Sequence, residues 1–159
     1  MKKIISFAFI LFILFNFKVY AIDFQVFDMR NKIFEESKEL KALLPNSKDV
    51  ILLTTMFDSC IIATSQLDAY FYMLGIFGSI KRENLTNTAI DSITTWLTEI
   101  KKTTELSINI LNIILPPIEK TTQARIKKLQ SLFAELNNRI NAESNKFYLI
   151  KKSLKPIRR

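Results

Sequence analysis

Apolar residues recur at intervals of three and four along most of the chain, which is the spacing of one face of an α-helix. Four stretches have this period: residues 26–44, 47–78, 86–115 and 118–154. Proline or glycine lies at several of their ends, where these residues stop or cap a helix. The pattern therefore predicts an all-α protein, an antiparallel bundle of about four helices with short connections.

The second stretch is the most apolar of the four and is long enough to resemble a membrane span. Asn46 is its predicted N-cap and Gly78 its predicted C-cap. At 100° per residue, its polar side chains fall in a strip about 80° wide that includes Asp58 and Asp68. Carboxylates are costly inside a bilayer, so the pattern favours a central bundle helix with one narrow solvated edge, about which the other three helices pack.

The fourth stretch has the most regular period, with apolar residues in strict four-three spacing for more than four heptads. Glu143 is the charged member of this seam, and we expect it to mark a frayed or solvated level. In the first stretch, Glu35, Glu36 and Glu39 are expected to lie mostly away from the buried face. The seam of the fourth stretch comprises Thr122, Ile126, Leu129, Phe133, Leu136, Ile140, Glu143, Phe147, Ile150 and Leu154.

The first 21 residues have the layout of a secretory signal peptide. Lys2 and Lys3 precede an apolar run over residues 4–17, and Ala21 is a small residue at the expected cleavage point. We expect cleavage after Ala21, which leaves residues 22–159 as one helical-bundle domain with a short basic C-terminal tail. An uncleaved N-terminal anchor is the alternative. The abundance of Ile, Lys, Asn and Phe is typical of an AT-rich bacterial genome, so the exported chain is expected in the periplasm, at the cell surface or outside.

Composition argues against most catalytic and metal-binding chemistry. The chain has no histidine, a single cysteine and two glycines outside any phosphate-loop context. Asp58 and Asp68 lie about 15 Å apart along one helix, too far for a glycosidase pair. We therefore expect no enzyme, no cofactor and no catalytic, cofactor-binding or metal-ligating residue. Cys60 is expected to be a buried small hydrophobe, with an intermolecular bridge or a reactive thiol as the alternative.

Charge is distributed unevenly along the chain. Residues 22–119 hold nine Lys/Arg and thirteen Asp/Glu, a net −4, whereas residues 120–159 hold eleven Lys/Arg and two Asp/Glu, a net +9. One interpretation is that the basic residues partly complement acidic neighbours such as Glu35, Glu36 and Glu39. The other is a contact surface for an anionic partner. The candidate contact residues are Lys146, Lys151, Lys152, Lys155, Arg158 and Arg159.

The leading functional hypothesis is an exported, non-enzymatic bundle that acts by binding. Its partner is an unknown protein or an anionic component of a membrane or cell surface, and self-association stays open. Nucleic acid is not expected, because the chain is exported and has no recognised nucleic-acid-binding motif. The alternative is a membrane-inserting or pore-forming protein, suggested by the apolar run over residues 67–80.

A third hypothesis is a periplasmic chaperone. Residues 24–43, FQVFDMRNKIFEESKELKAL, resemble the early segment of the small basic periplasmic chaperones of the OmpH/Skp type. The resemblance covers about 20 residues and includes no functional motif. Those proteins continue into long polar coiled-coil arms, whereas an apolar helix follows here, so the family's properties are not carried over.

Overall fold

The computed structural model describes residues 26–78, 87–113 and 116–153, and within these ranges it is helical without strands. Helix α1 spans residues 26–43 and is followed by a 3-10 turn, Leu44–Asn46. Three long helices follow: α2 (Val50–Gly78), α3 (Asn87–Ile113) and α4 (Lys120–Ser153). The predicted all-α fold with four helices is confirmed. The predicted signal peptide, residues 1–21, lies outside the described residues.

The four helices run alternately in opposite directions, as contacts between their side chains show. Arg30 of α1 binds Asp68 of α2 through two hydrogen bonds, of 2.9 and 2.8 Å. Thr104 of α3 donates to Asn137 of α4 at 2.5 Å. The starts of α2 and α4 lie together, and near their ends Tyr70 donates to Glu143, so these two helices are parallel and diagonal.

The core is formed by one face of each helix. Buried threonine, serine and asparagine side chains are interspersed with the apolar residues, and several of them bond to the backbone one turn earlier. Such bonds satisfy polar groups that would otherwise be costly to bury. The largest fully buried side chains are Tyr70, Phe133, Met29, Ile33, Leu40, Leu53, Met56, Leu67, Ile90, Ile93, Leu97 and Ile100.

Helix α2 contacts the other three helices and has one solvated side, which is wider than the narrow polar strip predicted from the sequence. It occupies one corner of the bundle, and its outer face includes the exposed residues Ile51, Ile61 and Ile62 beside the predicted polar strip. The helix also begins later than predicted, because Asn46 belongs to the 3-10 turn and does not cap it. The structure describes α2 as far as Gly78, the predicted C-cap, and residues 79–86 lie outside the described residues.

Two glutamates are buried, against the expectation from the sequence. Glu143, expected at a solvated level, is 3% exposed and accepts a hydrogen bond from Tyr70. Glu36, expected outside the buried face, lies seven residues after the fully buried Met29 and is 1% exposed. Both carboxylates therefore belong to the interior, where a charged group requires hydrogen-bonding or charged partners.

Asp49 joins the start of α2 to the start of α4. Its carboxylate accepts hydrogen bonds from the backbone N–H groups of Ile118 and Glu119, both at 3.0 Å. The Ser47 hydroxyl donates to the Glu119 carboxylate and accepts from the Asp49 backbone N–H at 3.0 Å. The two connections at this end of the bundle are thus fixed to each other, and we call this arrangement the Asp49 clasp.

Because of the Asp49 clasp, we expect the free energy of unfolding to depend on pH in the acidic range. The hydrogen bond from Ile118 holds the pKa of Asp49 below its ordinary value of 3.8; burial opposes this, and bonds from Glu119 and Thr122 add to it. A lowered pKa stabilises the fold above the unfolded-state pKa, and this contribution is lost as pH falls through the folded-state pKa. We expect D49N to be less stable at pH 7, and its difference from the wild type in chemical unfolding to shrink below about pH 3.8. An unchanged difference down to pH 2 would contradict this account.

Candidate binding surface on the distal part of helix α4

The first two-thirds of α4 carries basic residues that pair with α1. Arg125 donates to Glu36 and Glu39 at 3.1 and 3.0 Å, and Lys128 lies 2.5 Å from Glu36. Further along, Arg139 pairs with Glu135 on its own helix and lies 4.0 Å from Asp28. For Glu36 and Glu39, the interpretation that α4 complements acidic neighbours is therefore correct.

Glu35, the third acidic residue in that interpretation, behaves differently. Its carboxylate pairs with Lys38 of its own helix at 2.7 Å, with both side chains largely exposed. A pair of this kind, three residues apart on a solvated helix surface, contributes only a few tenths of a kcal/mol. It supplies no contact between helices.

Three of the six predicted contact residues lie in the distal part of α4, which we define as residues 144–153. Lys146 and Lys152 are exposed and form no ion pair with any described residue. Lys151 is different, because its ammonium group donates to the Asp91 carboxylate of α3 at 2.5 Å. The other three, Lys155, Arg158 and Arg159, lie outside the described residues.

An open groove of about 320 Å³ lies between the first half of α3 and the distal part of α4. Its lining mixes apolar surface from Ile90 and Tyr148 with hydroxyl and amide groups, and the Lys151–Asp91 pair joins its two walls. The lining therefore presents both apolar surface and hydrogen-bonding groups. The residues that line the groove are Ile90, Asp91, Thr94, Ser144, Asn145, Tyr148 and Lys151.

Two exposed apolar residues beside the free lysines were not singled out from the sequence. Tyr148 and Leu149 are each 63% exposed. They lie between Phe147 and Ile150, which occupy the partly buried seam of α4. Apolar residues at off-seam positions of an otherwise polar helix are the signal that points to them.

Cys60, Asp58 and Asp68, which the sequence analysis considered for reactivity or catalysis, lie in surroundings that are ordinary for structural or surface residues. Cys60 is free and buried, as predicted, and burial, followed by the nearby Glu36 charge, raises its pKa to about 12, so the thiol stays protonated at neutral pH. Asp68 is engaged by Arg30, and Asp58 is exposed on the same helix. Among the described residues, no group of three or more His, Cys, Asp or Glu side chains is placed to hold a metal ion.

The chain matches no protein-family model, no curated protein and no solved structure at a significant level.

Proposed function

We propose that the protein is an exported, non-enzymatic helical-bundle protein that binds an acidic protein segment through the distal part of α4. The observation that carries this proposal is that two exposed lysines without an ionic partner lie beside the exposed apolar residues Tyr148 and Leu149. Arg125 and Lys128 are neutralised by carboxylates of α1, whereas Lys146 and Lys152 are exposed without an ionic partner among the described residues. The signal-peptide layout of residues 1–21 supports export.

The surroundings of the free lysines favour an acidic polypeptide over a polyanion that has no peptide groups. Tyr148 lines the groove and Leu149 is exposed beside it, so apolar and aromatic surface lies next to the positive charge. Tyrosine is enriched at the centres of protein interfaces, and a rim of charges increases the rate of association with an oppositely charged partner. The basic residues Lys155, Arg158 and Arg159 follow directly in the sequence and add charge of the same sign.

Replacing both free lysines with glutamine tests the proposal. We expect K146Q/K152Q to bind fluorescently labelled polyglutamate about tenfold more weakly than the wild type, because two exposed charge contacts together account for roughly that factor. The measurement is fluorescence anisotropy at several salt concentrations, and the salt dependence is expected to become shallower. Glutamine preserves the helix propensity of both positions.

The matched control removes two lysines at the opposite end of the bundle that are also exposed and form no ion pair with a described residue. K48Q/K120Q carries the same change in net charge, and we expect its affinity for polyglutamate to stay within about twofold of the wild type. Equal weakening by the two double variants would mean that overall charge, and not the distal part of α4, determines binding.

A second candidate function, insertion into a membrane, is favoured by helix α2. Val50–Ile76 is long and apolar enough to cross a membrane, with a mean hydropathy of 1.5, and 44% of its most apolar window is buried in the bundle. The core helix of a water-soluble bundle meets the same criteria. Dye leakage from vesicles containing phosphatidylglycerol distinguishes the two functions: the proposed binding protein leaves them intact, whereas leakage at micromolar protein would support insertion.

A further inference from the structure

One salt bridge crosses the groove between α3 and α4. The Lys151 ammonium group of α4 donates to the Asp91 carboxylate of α3 at 2.5 Å, and both residues line the groove. Their side chains are 40% and 55% exposed, so water reaches the pair. Asp91 therefore lies where an acidic ligand in the groove would place a carboxylate of its own.

The backbones that carry these two charges are anchored by neighbouring residues. Ile90, which directly precedes Asp91 on α3, is fully buried. On α4, Phe147 lies one turn before Lys151 and packs against the apolar core. Because both helices are held in place by these anchors, the salt bridge can open by rotation of two side chains, without a change in the packing of the bundle.

The salt bridge is weak enough to be exchanged for another. Water screens a pair of exposed charges, and pairing a long lysine side chain reduces its rotamer freedom. A carboxylate of a ligand is chemically equivalent to the carboxylate of Asp91, so it can form the same bond to Lys151. Asp91, which is already more than half exposed, then becomes hydrated instead.

A lysine without an ionic partner lies directly beside the salt bridge. Lys152 follows Lys151 in the sequence and is one turn after Tyr148, and it is exposed without an ion pair to any described residue. An acidic segment held by Lys152 brings its next carboxylates close to Lys151. Their local concentration there is high, which favours the exchange.

We propose that Asp91 is an internal competitor for the acidic ligand. Its carboxylate occupies Lys151 in the free protein, and a carboxylate of the ligand displaces it on binding. This inference rests on the function proposed above and deepens it, because it makes Lys151 a contact of the ligand and Asp91 the residue that limits affinity. The binding-competent groove is then only a fraction of the population, and the observed affinity is reduced by that fraction.

A double-mutant cycle tests the competition. D91N preserves the shape of the competing side chain and removes its charge, while K151Q removes the contested cation. We expect D91N to bind fluorescently labelled polyglutamate about threefold more tightly than the wild type, because an exposed ion pair masks its lysine by roughly that factor. K151Q should bind more weakly than the wild type. In the K151Q background, D91N should change the affinity by less than about 1.5-fold, since no lysine is released and salt screens the remaining effect of charge.

The matched control for net charge is D58N. Asp58 is exposed on α2 and forms no ion pair with a described residue. It lies about 18 Å along the helix before Tyr70, which contacts α4 at Glu143, so it is well beyond the screening length of about 8 Å at physiological salt. We expect D58N to bind polyglutamate within about 1.5-fold of the wild type. Circular dichroism compares the thermal unfolding of all the variants, to show that each one is folded.

The possible outcomes separate the competition from the proposed function. Polyglutamate binding by the wild type that D91N leaves unchanged or weakens would overturn the competition and leave the proposed function standing. Equal tightening by D91N with and without Lys151, or equal tightening by D58N, would also overturn it, because charge and not the release of Lys151 would then be the cause. Binding by D91N alone would support a stronger competition. If no variant binds polyglutamate, D91N included, both proposals are wrong.

Discussion

Replacing Arg125 with methionine is expected to lower the free energy of unfolding by about 3 kcal/mol. The Glu36 side chain has no exposed surface, and Arg125 donates to its two carboxylate oxygens at 3.3 and 3.1 Å. The variant leaves Lys128, whose own side chain is 54% exposed, as the remaining cation on a buried carboxylate. Removing one partner of a buried ion pair is costly because the other charge stays in a medium of low dielectric constant.

Urea unfolding of R125M measures this loss, and K127M is its control. Lys127 lies two residues further along α4, is exposed and has no ionic partner among the described residues, so its replacement should change stability by less than about 0.5 kcal/mol. The double variant E36L/R125M should recover most of the loss, because it also removes the buried carboxylate that has lost Arg125 as a partner. A double variant as unstable as R125M would mean that the cost comes from lost packing of the Arg125 side chain.

Replacing Phe133 with alanine is expected to lower the free energy of unfolding by about 4 kcal/mol. Phe133 is fully buried at the centre of the α4 seam and belongs to the continuous apolar core. The truncation removes apolar contact and leaves a cavity that four packed helices refill only in part. The same denaturation measurement on Y148A, which changes an exposed aromatic residue of the same helix, should show a change below about 1 kcal/mol. Similar losses for the two variants would contradict the assignment of the α4 seam to the core.

The helices could be predicted because their signals are local. Pro45 lies in the 3-10 turn that follows α1, α2 is described as far as Gly78, and Pro116 and Pro117 lie between α3 and α4. The α4 seam was predicted from spacing alone because a coiled-coil period fixes one buried face. The starts of α2 and α4 were placed two to three residues early, since the Asp49 clasp is a contact between segments about 70 residues apart.

The burial of Glu36 could not be predicted from the sequence, because it also depends on contacts between distant segments of the chain. A charged residue is ordinarily expected at the surface, even where the heptad spacing marks its position as part of the core. The interior position of Glu36 is made tolerable by Arg125 and Lys128, which lie far along the chain. Glu143 is comparable, because its hydrogen-bond donor Tyr70 lies on the diagonal helix. Sequence periodicity identifies a face of a helix, but it does not identify the polar partner on another helix.

The charge distribution of the sequence predicted part of the candidate surface. The excess of lysine and arginine in residues 120–159 indicated α4, but it gave the same weight to Lys151 as to Lys146 and Lys152. The structure separates them through a neighbour on α3, because Asp91 already engages Lys151. The groove depends on the packing of α3 against α4, which no local pattern in the sequence specifies.

The central claim is that an acidic ligand binds the distal part of α4. Its most direct test is to titrate the isotopically labelled protein with polyglutamate and to follow the backbone amides by nuclear magnetic resonance. The account predicts that backbone amide shifts change in residues 144–153 of α4 and in residues 90–94 of α3, with the largest changes near Lys146 and Tyr148. Shifts near Lys48 and Lys120 should stay constant. Changes spread evenly over all exposed lysines, or concentrated at the opposite end of the bundle, would contradict the claim.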